Sequence, residues 1–353
     1  MKNKFVLKFT IALIVFMILW AALNIVVDPF YHYHAPADKS NEYMYNAVYQ
    51  TTGAAANFQY DMAIVGTSLC ENFRASWFDE AGYNCEKLTY PSATLRDYGV
   101  ILSSVFESDN DVRMIVTDIS DIQLNAEVGS RRTTEADYLN NDSLLDDYNY
   151  IWNLDVTKQS LYRIYERVTG SVPNHDENYT WENPEFFSEE ACKRDTCDNR
   201  AAILDETARG VFTPFDGNTV SPFKDNLAEI TSIIEAHPET QFNIFIPPFS
   251  ILYWELQELQ GRTDWILAVY RDTVTVLSSY DNVTVYSFID EEEVITNLDL
   301  YRDSGHYNPD INHYICDAIL SGRNIVDESN IDEHLDNMRR IASEYDYDSV
   351  WNH

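Results

Sequence analysis

Five short strand-like runs, four of them largely apolar, with helical periodicity between them, constrain this chain more than any other feature. Residues 62–66, 113–119, 241–246 and 283–288 are largely apolar, the pattern of strands buried on both faces, and 86–90 is expected as a further strand. Between the second and third runs in chain order, 95–107 reads as a helix. Leu95, Tyr98, Leu102, Val105 and Phe106 form its stripe, behind a Thr94/Asp97 capping pair. Helices are also expected at 222–237, at 253–280 with a break at Gly261, and at 310–320, the last putting Cys316 in the core. Such alternation predicts a doubly wound α/β fold: a five-stranded, mainly parallel sheet joined by right-handed crossovers.

The first run ends in Gly66-Thr67-Ser68, and 71–81 reads as a following helix with Phe73, Trp77 and Phe78 inward and Gly82 as its stop. A serine there stands at the carboxyl edge of the sheet, where open α/β folds bind ligands. Its hydroxyl is expected beside a helix N-terminus, whose free N–H groups favour an oxyanion. Most serines at such turns only cap a helix. A second stretch changes the balance. Asp303 and His306 lie three apart in a glycine-containing loop, and a nucleophilic serine needs a base that is itself oriented by a carboxylate. Read blandly, that loop is polar and its Asp a cap.

Gly66-Thr67-Ser68-Leu69 and Asp303-x-x-His306 resemble blocks I and V of the SGNH/GDSL hydrolase superfamily, over residues 61–322 with a large unmatched centre. The chain is most similar to membrane-anchored bacterial members, such as the D-alanine transfer protein of teichoic-acid modification and the O-acetyltransferase proteins of alginate and other exopolysaccharides. The resemblance implies a flavodoxin-like, SGNH-type sheet and a Ser68-His306-Asp303 triad. It also implies an oxyanion site made by backbone N–H groups of Ser68 or Leu69 and of Ser92. It further implies an acylated envelope or secreted polysaccharide as substrate, and a membrane-bound acyltransferase as partner. Three positions depart from the pattern: Thr67 replaces the Asp of the family name, Ser92 stands where block II has Gly, and 116–121 has no Asn where block III has one.

Location follows from the N-terminus. Lys2, Lys4 and Lys8 precede residues 9–27, in which only Thr10 and Asn24 are polar. Nineteen residues rise roughly 28 Å, close to a bilayer core. Ala21-Ala22-Leu23 is a poor cleavage site, so an uncleaved anchor is favoured over a signal peptide. The lysines place the N-terminus in the cytoplasm and the catalytic domain outside the cell. Segment 28–60 is expected to space the domain from the membrane, with one short helix. His32 and His34 alternate on one face there, but a metal site would need further ligands. No metal or cofactor is expected. The formal charge of −34 argues against a nucleic-acid partner. Of the five cysteines, Cys192 and Cys197 could close a small disulfide loop, and Cys70 could pair with Cys85.

Residues 122–222, rich in Asp, Asn, Glu and Tyr, lose the strand-helix rhythm. They are expected as an insertion in the domain 61–326, either a partly helical cap over the Ser68 edge or a surface elaboration. Arg131-Arg132 and Lys193-Arg194 could grip an anionic substrate, but exposed salt bridges are the favoured reading. In segment 327–353, Ile331, Leu335, Met338, Ile341 and Tyr345 mark a packed helix, with Asn330 and Glu333 as a capping pair. The expected activity is ester hydrolysis or O-acyl transfer. A non-catalytic binding or scaffolding subunit of a glycan-modifying complex is the main alternative, and a lipase-like or peptidase activity a weaker one.

Overall fold

The computed structural model describes residues 2–139 and 145–352. The expected runs form β1 (Met62–Ile64), β2 (Cys85–Lys87), β3 (Met114–Asp118), β4 (Gln241–Ile246) and β5 (Val283–Ser287), all parallel. The sheet has six strands rather than five, in the order β2-β1-β3-β4-β5-β6. The added strand, β6 (Ile325–Val326), pairs antiparallel with Tyr286 and Val285 of β5. Two residues are too few for any periodicity to announce. The second run starts earlier than expected, and its pairing continues irregularly: the N–H groups of Leu88 and Tyr90 donate to the carbonyls of Ile64 (2.8 Å) and Gly66 (2.7 Å).

The chain leaves β1 for β2 on one side, then crosses back to β3 on the other. Strand order therefore reverses between β1 and β3, and the crevice beyond their carboxyl ends is the expected ligand position in an open α/β sheet.

The larger helices are α1 (Lys2–Val27), α2 (Ala47–Asn57), α3 (Ala75–Asp79), α4 (Leu95–Glu107), α5 (Tyr148–Ile151) and α6 (Leu154–Thr169). They continue with α7 (Glu189–Ala208), α8 (Phe223–Ala236), α9 (Ile251–Gln260), α10 (Thr263–Leu277), α11 (Pro309–Ser321) and α12 (Ile331–Glu344). α4 packs between α2 and α8, and α8 touches α10. The Thr94/Asp97 box forms in both directions, at 3.2 and 3.0 Å. Gly261, at φ +72, ends α9 in a left-handed cap that α10 follows almost at once.

Several expectations fail for identifiable reasons. Residues 71–81 are not one helix. A single turn, Ser68–Cys70, is followed by extended backbone at Arg74 and then by α3. The buried Lys87 ammonium takes the carbonyls of Glu71 (2.7 Å) and Phe73 (2.9 Å), which a continuous helix would need. Asn330 does not cap α12. Its side chain accepts from the Asp327 N–H and donates to the Ile325 carbonyl. All five cysteines are free, and Cys192 and Cys197 lie on one helix, α7, five residues apart. Segment 28–60 does not hang as a spacer. Ala54, Ala55 and Phe58 join the main core, and a Cβ on Gly53 would stand 2.1 Å from the Phe30 carbonyl oxygen.

α1 carries an apolar stretch, Lys4–Val27, long enough to cross a membrane. The insertion is partly helical, with α6 against α1 and α7 against α9. The C-terminal helix α12 buries Ile331, Leu335, Met338 and Ile341 and touches α9 and α10.

Candidate active site

The loop after β1 is fixed before any chemistry is considered. Asp118, the last residue of the neighbouring β3, is buried and accepts four bonds. They come from Thr67 N–H (2.8 Å), Thr67 Oγ1 (2.8 Å), Tyr98 OH (2.5 Å) and Cys70 Sγ (3.3 Å). Burial, reinforced by that carboxylate, pushes the Cys70 thiol and the Tyr98 phenol well up, so both remain protonated donors. Gly66 permits the approach: a Cβ there would sit 2.3 Å from Cys70 Sγ and 2.8 Å from Asp118 Oδ1. The loop's far side is held by Asn312 of α11, whose amide donates to the Leu69 carbonyl at 2.7 Å.

The second loop is braced as firmly. Tyr301 and Tyr307 form an antiparallel bridge, and Arg302 N–H donates to the His306 carbonyl at 2.9 Å. The Ser304 carbonyl accepts from the N–H and hydroxyl of Ser250, the cap of α9 after Pro247-Pro248, at 3.0 and 2.8 Å. Cys192 of α7 donates its thiol hydrogen to the Asp303 carbonyl at 3.4 Å.

These two loops meet. Ser68 Oγ lies 2.7 Å from His306 Nε2, and His306 Nδ1 lies 2.8 Å from Asp303 Oδ2. A carboxylate only accepts, so Nδ1 carries a hydrogen, leaving Nε2 of the neutral ring to accept from Ser68. The backbone N–H groups of Gly305 and His306 also donate to Asp303 Oδ1, at 3.0 and 2.7 Å. Burial alone would raise the Asp303 carboxyl. The bonds from His306 outweigh it and hold the group below its ordinary range, ionised at neutral pH.

A cavity of about 440 Å³ opens over these groups, lined by Ser68, Leu69, Ser92, Phe249, Asp195 and His306 among others. Ser92 adopts φ +59, an uncommon conformation for a non-glycine residue. Among the described residues its N–H meets no acceptor, and neither does that of Ser68. The N–H of Leu69 bonds to Thr67 Oγ1 at 3.3 Å. The turn carrying Ser92 is tied down through Arg132, whose guanidinium donates to the Pro91 carbonyl and whose N–H donates to Asp97 Oδ2 at 2.9 Å. Arg131 pairs with Asp97 and Asp137, and Lys193 with Glu189. The helix expected after Ser68 is only one turn long, so the local N–H groups, rather than a macrodipole, are what an oxyanion would meet there.

The insertion lines this cavity through Ile122, Gln123 and Ala126 at its start and through α7, and it reaches His306 from beside it through Trp181. Asp195 of α7 is on the cavity wall. Trp181 stands edge-on to the His306 ring, with centroids 5.4 Å apart, and is anchored by Glu71 Oε2 (2.9 Å) and Asn72 Oδ1 (2.9 Å). Burial pushes Glu71 up to about 7, against the opposing pull of Trp181, Lys87 and His306. Burial likewise lowers Lys87 to about 8. Asp118, Trp181 and Asn312 were not singled out from sequence. Only Asp118 left a usable signal, an acid closing an apolar strand. His32 pairs with Asp147 (3.5 Å) and packs on Tyr33 and Tyr150. No group of three or more His, Cys, Asp or Glu suited to a metal is found among the described residues.

No protein-family model matches the chain, and no curated protein matches it.

Proposed function

We propose that this protein is a membrane-anchored serine esterase or O-acyltransferase, acting outside the cell on acyl groups of an envelope or secreted polysaccharide. The observation that carries the reading is the continuous chain Ser68 Oγ, His306 Nε2, His306 Nδ1, Asp303 Oδ2, with both links at hydrogen-bond length. The 2-1-3-4-5 order of the parallel strands supports an SGNH-type, flavodoxin-like sheet. α1 supports the anchor, and the lysines before residue 9 support a cytoplasmic N-terminus. The choice of a glycan, and of a membrane acyltransferase as donor partner, rests on the resemblance of the two motifs alone.

In this mechanism His306 Nε2 takes the Ser68 proton as Oγ bonds to the acyl carbon. The oxyanion forms against the N–H groups of Ser68 or Leu69 and of Ser92. Collapse breaks the bond to the leaving alcohol, which receives the proton from His306. Water or a sugar hydroxyl then gives its proton to His306 and attacks the acyl-serine, and the returning proton restores Ser68. Asp303 keeps the imidazole in the right tautomer and stabilises its charged form.

A fluorophosphonate probe on the full chain in detergent tests this. Labelling that disappears in Ser68→Ala is the expected result. A folded protein that stays unlabelled would favour the scaffolding alternative, in which the same pocket only binds.

A further inference from the structure

α6 is built inside out for a helix on a water-exposed surface. Its inward face carries Val156, Ser160, Arg163 and Glu166, all buried. Arg163 Nη1 donates to Glu42 Oε2 at 2.9 Å, and Tyr45 OH donates to Glu166. The opposite face carries Leu154, Leu161, Tyr165 and Val168, at i, i+7, i+11 and i+14, and these are 74, 56, 60 and 80% exposed. A row of large apolar side chains left open while a charged row is buried marks an apolar contact.

What lies beyond that face is indicated by the partner of α6, which is α1. Asn24, the lone polar residue in the second half of the apolar run, is completely buried by the insertion. Its amide donates to the Ile151 carbonyl (2.9 Å) and to Thr157 Oγ1 (3.0 Å), and its carbonyl accepts from Ser160 Oγ (3.1 Å). Trp20 Nε1 donates to Thr157 Oγ1 at 2.6 Å. Trp152, next to α5, donates to the Met17 carbonyl at 3.2 Å. Met17 precedes Val27 by ten residues, about 15 Å of helix, which is half a bilayer core. The insertion is thus fastened alongside the outer half of the apolar span, not beyond its end. An apolar crevice of about 510 Å³ between Trp152 and Leu13, Met17, Ala21 and Ile25 continues the same surface.

We propose that α6 and the Trp152 turn before it form a second membrane-contacting element, seated in the outer leaflet against α1, with Leu154, Leu161, Tyr165 and Val168 facing lipid. The inference rests on α1 being the membrane span. Exposed Lys158 at the edge of this face has the reach to extend its ammonium to the headgroups. With two contacts instead of one, the domain cannot swivel on its anchor, so the Ser68 cavity keeps one orientation to the bilayer.

The test uses the full chain in phosphatidylcholine/phosphatidylglycerol vesicles. Cys197→Ser removes the only cysteine that is not buried. Single cysteines at Leu161, Tyr165 and Val168 are then labelled with a fluorophore and challenged separately with nitroxide-bearing lipid and aqueous iodide. Leu13→Cys on α1 and Ile325→Cys on β6 serve as references. Lipid quenching at all three α6 sites several-fold above that at Ile325, with iodide quenching correspondingly weaker, is the expected result. Iodide access equal to that of Ile325 would overturn the proposal. Shielding from both quenchers would also overturn it, in favour of a protein covering the face. If Leu13 itself escapes lipid, the anchor reading fails first, and the two failures are separable.

Discussion

α4 and α6 are amphipathic helices of similar length with opposite orientations. α4 buries Leu95, Tyr98, Ile101, Leu102 and Val105 against the core, whereas α6 buries Val156, Ser160, Arg163 and Glu166 and turns Leu161, Tyr165 and Val168 outward. Periodicity reveals that a helix has an apolar face but not where that face points. The direction is set by what lies beside the helix: for α4, the sheet and two other helices; for α6, the apolar span α1 with Asn24 to satisfy. The sheet helices close their apolar faces on one core, whereas α6 leaves its apolar face open.

The largest expected effect belongs to the rim. Ser68→Ala should lower ester turnover by roughly four to six orders of magnitude, with the unfolding midpoint unchanged. Adding His306→Ala should then cost little more, because the two act as one unit. Turnover of a chromogenic ester by the single and double variants checks both points.

One substitution made in each helix separates α4 from α6. Leu102→Asp in α4 buries an unpaired charge and should destabilise by at least about 4 kcal/mol. Leu161→Asp in α6 should cost less, roughly 1 to 3 kcal/mol in detergent, because there the charge meets micelle tails near headgroup water rather than a closed core, and leave hydrolysis of a soluble ester unchanged. Denaturant titration of both variants would break the contrast if the two costs came out equal.

Asp118→Ala would leave four donors around the Ser68 loop without an acceptor. A loss of roughly 3 to 5 kcal/mol is expected, together with reduced turnover in the fraction that folds. A cost below about 1 kcal/mol would mean that Asp118 is not the post holding this loop.

The smallest effect is on pH dependence. Glu71 is raised from 4.5 to about 7, so in the interval between those values the folded chain holds a proton that the unfolded chain has lost. Stability therefore falls as pH rises through that window, by up to about 3 kcal/mol. Glu71→Gln keeps an acceptor for Trp181 and should flatten the curve there. An unaltered curve would remove Glu71 as its cause.

Much of the core was legible because burial on both faces forces apolar runs. β4 matches its run, and α4 starts and stops where its caps and stripe indicate. What failed depended on distant residues. The helix expected at 71–81 is broken by Lys87, a cation whose burial nothing local announces, and Cys192 is committed to the Asp303 carbonyl rather than to Cys197. β6 is a two-residue partner chosen by the edge of β5. Ser68, His306 and Asp303 could be named because their chemistry requires one another. Asn312, which donates to the Leu69 carbonyl of the same loop, could not, because an Asn inside a helix looks like any other in sequence; Asp118 left only the weak signal of an acid closing an apolar strand.

If Ser68 carries the acyl group between donor and acceptor, that group must pass through a covalent ester. The direct measurement is mass spectrometry of the full chain, quenched in acid after brief exposure to an activated acetyl ester and then digested. One acetyl group on the peptide containing Ser68, absent from Ser68→Ala and formed far more slowly in His306→Ala, is the predicted result. Turnover of the ester with the acyl group recovered on a different side chain, or no adduct and no turnover in a folded protein, would contradict it.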